Sequence, residues 1–379
     1  MSAGPVPARR APARGFSLVE LMVAMAVGLV VVGGAFTVFS GSKRTAALNA
    51  TLTELQESAR FALDSIVRDV RMAGFQGCVD INTATATVRG DGAPTADLFD
   101  TALTASRVSA SGAWVPPPPT GFVPPEAPAA GVPVPGTQAL SVQFGSPETH
   151  RILKMGSAQA PITLMNATAA EAGFATGDFA IVSNCQSADL VRVTGTADAS
   201  IAHEPSGNGG DGRVTAAYGE AAVDADGDGA PDDRTRSRVM RFEANVYFVG
   251  DTGRTDDAGA PVLALYRQTL PYTRPPIEMV EGVSNLQVRL GFRDPGTPEA
   301  LAFARPGVGA LPPGRVEVVE LGLLIESFDR VLEAGAPARE HALAGRTVAP
   351  GAARGATTYP DDRRLRLAFN ASVSLRNRR

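Results

Sequence analysis

The 379 residues carry 35 Lys and Arg against 39 Asp and Glu, a formal charge of −4, which argues against broad electrostatic binding to nucleic acid because that needs a basic face to displace phosphate counterions. The length suits an anchor plus one large or two small domains, and few aromatics beside 40 Gly and 29 Pro favour strands, turns and long loops over a helical bundle. Two cysteines, Cys78 and Cys185, are too few for a disulfide-stapled mini-fold and are not spaced as a CxxC zinc or redox pair.

The first predicted element is a membrane helix. From Phe16 to Phe39 run 24 residues in which Glu20 is the sole charge. As a helix they would span roughly 36 Å, enough for a bilayer core of about 30 Å, so a transmembrane segment is predicted over residues 16–40. Arg9, Arg10 and Arg14 precede the run and Lys43 and Arg44 follow it, a slight positive-inside bias towards a cytoplasmic amino terminus. A secretory signal would have a shorter apolar core and an A-x-A-like cleavage site, whereas this run passes through Gly33, Gly34 and Thr37 into polar helical sequence. There Leu48, Leu52, Leu55, Ala59, Leu63, Ile66 and Val70 recur at steps of three and four, while Glu54, Glu57, Arg60, Asp64, Arg68, Asp69 and Arg71 occupy other faces. The spacing predicts an amphipathic continuation over residues 41–74, capped at Gly74, for a total helix of about 55 residues and near 80 Å.

A short basic leader, residues 1–15, ends in Gly15, and Phe16, Ser17, Leu18, Val19 and Glu20 lead into the apolar run. This "GFSLVE" motif resembles the class III signal of type IV pilins and type II secretion pseudopilins. The resemblance implies that a prepilin peptidase cuts between Gly15 and Phe16 and methylates the new Phe16 amine, and that Glu20 serves filament assembly. The physical chemistry agrees: a carboxylate inside hydrocarbon is costly and is kept for a partner. The new α-amine of Phe16, on a neighbouring subunit or on the same chain, can neutralise it. The bland alternative for Glu20 is a charge tolerated near the headgroup boundary. Gly28, Gly33 and Gly34 weaken the helix and could permit local unwinding when it leaves lipid for a filament, or could ease close packing between transmembrane helices.

More narrowly, "LQESARFALDSIVRDVRMAGFQGC" at 55–78 is similar to the stretch that follows the anchor helix in PilW-type minor pilins. Patches at 181–194, 279–292, 316–327 and from Arg363 onward also match that family, and the middle of the chain matches poorly. The resemblance implies an inner-membrane precursor whose carboxy-terminal domain is periplasmic and then reaches the pilus or cell surface. Its partners would be the prepilin peptidase and other minor and major pilins, with which it would prime or cap a type IV pilus; nucleic acid is not expected among them. The rivals are a type II secretion pseudopilin, which shares the anchor, and a calcium-dependent adhesin or DNA receptor displayed by pilin anchoring. An enzyme ranks last.

With the amino terminus cytoplasmic, everything after Lys43 lies outside the reducing cytosol, and a Cys78–Cys185 bridge becomes reasonable. It would close a loop of roughly 108 residues and by chain entropy contribute up to about 4–5 kcal/mol. The alternative is two buried free thiols. Residues 115–136, "VPPPPTGFVPPEAPAAGVPVPG", predict an extended surface loop, because proline removes donors and restrains its predecessor. Short alternating runs predict strands at 138–144, 178–183, 189–194, 239–249, 262–268, 284–292, 316–327 and 365–375. Together with the resemblance, these patterns imply an α+β, pilin-like fold: a long amino-terminal helix packed on an antiparallel sheet within a β-rich domain over residues 75–379.

Few segments suggest chemistry. "DADGDGAPDD" spaces Asp224, Asp226 and Asp228 at alternate positions, then Gly229 and Asp232, like the first half of a calcium loop. Thr235 stands where the bidentate acid belongs, so calcium competes with a solvated acidic turn; no other cofactor is expected. "GNGGDG", with Gly207, Gly209 and Gly212, lacks the helix pattern that a dinucleotide site needs and predicts a flexible loop. His150, His203 and His341 are scattered, with no HExxH, G-x-S-x-G or phosphate-loop motif, and predict exposed or hydrogen-bonded histidines. Arg363, Arg364, Arg366, Arg376, Arg378 and Arg379 could meet an acidic partner, but strand edges carry such charges to deter aggregation, and that is preferred.

Overall fold

One helix, Leu18–Met72, runs through 55 residues without a break. The computed structural model describes residues 17–79, 84, 86–127, 129–219, 237–293, 300–309 and 315–375. The chain divides into two compact units, Met1–Glu54 and Leu55–Arg379. In the first unit the described residues from Leu18 on are helical and mostly exposed. In the second, the last turns of the helix enter the core of a β-rich body.

The buried stripe of that helical segment is Leu55, Ala59, Ala62, Ile66, Val70 and then Ala73, in steps that average the helical repeat. It differs from the sequence-predicted stripe at two places. Leu48 and Leu52 are half-buried, and Ala62 takes the centre line while Leu63 packs at its flank. Ala59 and Ala62 are fully buried. Asp69, expected on an outer face, is drawn inward: its Oδ2 accepts hydrogen bonds from Asn245 Nδ2 at 2.7 Å and from the Tyr247 hydroxyl at 2.6 Å. Burial, and then the Asp69 charge, push the Tyr247 hydroxyl far above its ordinary pKa, so it stays a donor. Gly74 ends the helix at φ 75°, and its N–H passes to the Gln143 carbonyl at 2.9 Å.

Each predicted strand is present. The central hairpin-like pair is Gln138–Lys154 with Arg238–Thr255, antiparallel with Asn245 opposite Val142; Pro261–Thr269 and Phe179–Ser183 also border the latter strand. A second sheet runs Leu301–Ala304, Val283–Arg293, Val316–Glu326, Arg366–Ser374, with every neighbour antiparallel. Alternation along Val283–Arg293 sends Leu286, Val288, Leu290 and Phe292 to the core; a bulge between Val283 and Asn285 shifts the phase so that Val283 joins them. Cross-strand partners continue the apolar layer, Leu286 with Leu323 and Leu323 with Phe369. Both sheets and the helical stripe share this one core.

The proline-rich segment is an extended stretch with an anchor in it. Phe122 is buried against Trp114 at 5.1 Å, Tyr272 at 5.5 Å and Phe248 at 6.1 Å between ring centres. The "GNGGDG" segment, expected to be flexible, is clasped as well: buried Asn208 accepts from the Arg192 N–H at 2.8 Å and donates to the Arg192 carbonyl at 2.9 Å. Two backbone bonds from one side chain stand in for a missing strand neighbour.

The carboxy-terminal arginines also depart from expectation. Arg364 and Arg366 are not edge charges; their side chains are 3 % exposed. Arg364 bridges Asp256 and Glu326 at 2.8 Å each, Arg366 pairs with Glu326 at 3.0 Å and Asp362 at 2.7 Å, and Arg354 reaches Glu326 at 3.1 Å. Arg363, at φ 65°, donates to the Leu332 carbonyl, while Arg376, Arg378 and Arg379 lie outside the described residues. Burying such charges is tolerable only because each has partners, and losing one partner strands the rest.

Two stability predictions arise. Hydrogen bonds from Arg364 and from the Ala260 and Ala258 N–H groups hold the Asp256 carboxyl at about 2, below its ordinary 3.8. A depressed folded pKa contributes stability above the unfolded value, so the thermal midpoint should fall as pH drops from about 4 to about 2. Asp256→Asn should be less stable at neutral pH and show a shallower acid limb in calorimetric scans. Cys78 and Cys185 are joined 107 residues apart, with Cα atoms 4.8 Å from each other. Replacing both by Ser should lower the denaturation free energy by about 2–5 kcal/mol in chemical unfolding.

Candidate functional site

Ser17 opens the long helix. Its Oγ accepts a hydrogen bond from the Glu20 N–H at 3.1 Å, and its carbonyl accepts from the Leu21 N–H at 3.1 Å. A hydroxyl in this position satisfies one of the donors that every helix start leaves unpaired. Glu20 stands in the first turn, where the helix dipole favours negative charge. Ser17-x-x-Glu20 is a capping-box spacing, so the sequence held a signal for this local role that the expectation of an assembly charge passed over. Gly15 and Phe16 lie outside the described residues.

Every large apolar side chain from Leu18 to Phe39 is exposed, Leu29 by 78 % and Val30 by 73 %. The helix has a stretch long and apolar enough to cross a membrane, and none of that stretch is buried. A Cβ added at Gly28, Gly33 or Gly34 would meet nothing within 4 Å, so no contact among the described residues requires glycine there. The polar residues that follow are satisfied by the helix itself: Thr37 Oγ1 donates to the Gly34 carbonyl at 2.7 Å and Thr45 Oγ1 to the Gly41 carbonyl at 3.0 Å. Lys43 Nζ lies 5.3 Å from the centre of the Phe39 ring, where the apolar run gives way to charge.

Residues 10–36 match the family of the prokaryotic N-terminal methylation motif, a span that takes in Gly15, Phe16 and Glu20. The chain carries a type IV pilin-like signal. Such a signal indicates a type IV pilin-like or pseudopilin precursor, with membrane anchoring through the amino-terminal helix. It implies processing by a prepilin peptidase and assembly with other pilins. No curated protein and no solved structure matches the chain.

The remaining sequence-predicted site residues are not drawn together. Asp224, Asp226, Asp228 and Asp232 lie outside the described residues, and among the described residues no group of three or more His, Cys, Asp or Glu side chains is placed to hold a metal ion. His203 is buried between the Gly212 carbonyl at 3.0 Å and the Ala160 carbonyl at 2.9 Å. His150 packs on Phe174 and His341 on Tyr359; burial, then Arg366 and Arg339, lower the pKa of His341. The sequence reading missed Asp189, which is fully buried and accepts from the Tyr218 hydroxyl at 2.6 Å, the Thr215 N–H at 2.8 Å and Arg89 at 3.2 Å. No spacing signal joins those residues, which lie 26 to 100 positions apart.

Ser17→Ala should weaken the start of the helix by about 1 kcal/mol, so the Glu20 amide should exchange with solvent roughly fivefold faster in detergent micelles. Ser17→Asp should keep the slower rate.

Proposed function

We propose that the chain is a PilW-like minor pilin: an inner-membrane precursor, processed after Gly15, that joins other minor pilins to prime or cap a type IV pilus. The observation that carries this reading is the coincidence of the methylation motif at 10–36 with a continuous helix whose first half is wholly exposed and apolar. An α-helix with that surface needs a bilayer or the helices of other subunits around it.

In this reading Glu20 enters a low-dielectric surrounding and pairs with the methylated α-amine of Phe16, on its own chain or on the neighbouring subunit. The β-rich body, residues 55–379, serves display and contact. Its bulk suits an end of a filament better than every repeat along a shaft. The patches similar to PilW-type minor pilins, including 55–78 and the carboxy-terminal strand, favour the pilus over the type II secretion system as the assembly it joins.

The chain should be expressed with and without an active prepilin peptidase, and the mature amino terminus sequenced. N-methylated Phe16 is the expected product; an intact Met1 start under active peptidase would overturn the proposal. Glu20→Ala should still be cleaved yet fail to restore piliation to a deletion strain, and normal piliation by that variant would defeat the charge-pairing account. Loss of protein secretion with pili intact after deletion would move the protein to the type II secretion system.

A further inference from the structure

Among the described residues, the outermost strands of the sheets are short, with one exception. The others run two to five residues, as Thr87–Val88 and Ile277–Glu281 do, whereas Arg366–Ser374 runs nine. It pairs on one side, with Val316–Glu326. Shortness is one way in which a sheet keeps its edge from recruiting another chain; charge, proline and bulges are others. Arg366–Ser374 uses none of them. From Leu367 to Ser374 it has no charged residue and no proline, and its register against Val316–Glu326 is unbroken. Arg364 and Arg366, expected to guard this edge, turn inward.

The direction of its backbone groups follows from two flanking bonds. The Ser327 N–H donates to the Leu365 carbonyl at 2.9 Å, and the Leu375 N–H to the Glu317 carbonyl at 2.8 Å. Both pairs keep the register of the strand between them, in which Val319 faces Val373 and Ile325 faces Leu367. Antiparallel neighbours exchange hydrogen bonds at every second residue, so the odd-numbered residues direct their N–H and C=O groups to Val316–Glu326. Ala368, Asn370 and Ser372 point theirs the other way. Among the described residues no backbone group meets them there.

The strand is braced behind this open side. Asn370 Nδ2 donates to the Ala342 carbonyl at 2.9 Å, and its Oδ1 accepts from the Ala344 N–H at 2.7 Å. Val373 is buried, and Leu367 and Phe369, half-buried, pack on the same core. A row of alternating main-chain donors and acceptors is matched by the main chain of another strand, whose side chains would continue the apolar layer past Leu367 and Phe369.

We propose that the outer side of Arg366–Ser374 is a docking edge on which another pilin-like subunit adds an antiparallel strand, in main-chain contact with Ala368, Asn370 and Ser372. The proposal rests on the reading of the chain as a subunit that assembles with other pilins. The strand received has apolar side chains beside Leu367 and Phe369 and no proline at the paired positions.

The test uses the full chain, returned to a deletion strain and extracted in neutral detergent. Ser372→Cys, carrying a short thiol-reactive photo-cross-linker, should give an adduct with another pilin-like subunit, mapped by mass spectrometry to an extended segment. Ser372→Pro removes an outward N–H and none of the bonds to Val316–Glu326, so it should lower the amount of co-purified pilin-like subunit about tenfold. Ser372→Thr should leave that amount unchanged. Phe16 methylation and the thermal midpoint check processing and folding in each variant. Should Ser372→Pro melt early, Ser372→Lys takes its place, because it charges an exposed side chain and leaves the backbone as it is. Wild-type co-purification by the proline or lysine variant would overturn this proposal and leave the assembly reading standing. So would the absence of any adduct at 372, or adducts only between copies of this chain. A wild-type chain that co-purifies no pilin-like subunit would overturn both.

Discussion

A single unbroken helix has to meet two opposite demands, and the structure is organised around that. From Leu55 onward its apolar stripe is narrow and rich in alanine, and two sheets cover it. From Leu18 to Phe39 it is apolar but for Glu20, and none of its large apolar side chains is buried among the described residues. Burial of one turn's worth of leucine or valine side chains contributes several kcal/mol at about 25 cal/mol per Å², so leaving six turns of them in water is not a stable arrangement. The pilin-like signal and the apolar helix fit membrane anchoring through this segment. Backbone continuity between the two demands is kept because every hydrogen-bonding group of the helix interior is satisfied within the helix, whichever solvent lies outside it.

Much of this was legible in the sequence because it rests on period and composition. A long apolar run, a stripe at steps of three and four and alternation with period two are local properties, and they identified the helix and the eight main strands. What was not legible depends on contacts between distant residues. Ala62 is fully buried while Leu63 is only half-buried, so side-chain size alone does not decide the centre of the stripe. The alternation at Val283 changes phase because a bulge inserts a residue, which a pattern read from one strand cannot reveal. Asp69 turned inward because Asn245 and Tyr247 wait for it across the sheet, 176 and 178 positions away. The capping role of Ser17 was different in kind: its spacing to Glu20 was visible, but the family resemblance drew attention to charge and away from helix geometry.

The buried ionic groups explain why a β-rich unit with long loops keeps one register. Asp256, Glu326 and Arg364 belong to segments far apart in the chain, and each is nearly sealed from solvent. Such a cluster adds little net stability relative to apolar side chains of the same volume, since desolvation opposes the attraction. Its effect is selective: any slip of Arg366–Ser374 against Val316–Glu326 would separate Arg366 from Glu326 and leave charge unpaired in the interior. Asp189 with Tyr218, Thr215 and Arg89 does the same for the region around Ala188–Arg192.

Magnitudes decide between the two roles open to Glu20. As a first-turn acid on an exposed helix it contributes about 0.3–1 kcal/mol through the helix dipole, and many other residues would serve there. Carried deep into hydrocarbon, an ionised side chain costs about 2.5–3.5 kcal/mol even on the gentlest scale, so capping cannot offset that transfer. A counter-charge is therefore needed, and the proposed processing creates one where none stood before. Cleavage after Gly15 would turn the Phe16 amide nitrogen into an α-amine four residues from Glu20 in the chain, and methylation of that amine would leave its positive charge in place. In that proposal the first-turn acid of the precursor gains a cation four residues away in the chain once the leader is gone. In the proposed reading, removal of the leader supplies the charge that admits the carboxylate to an apolar surrounding.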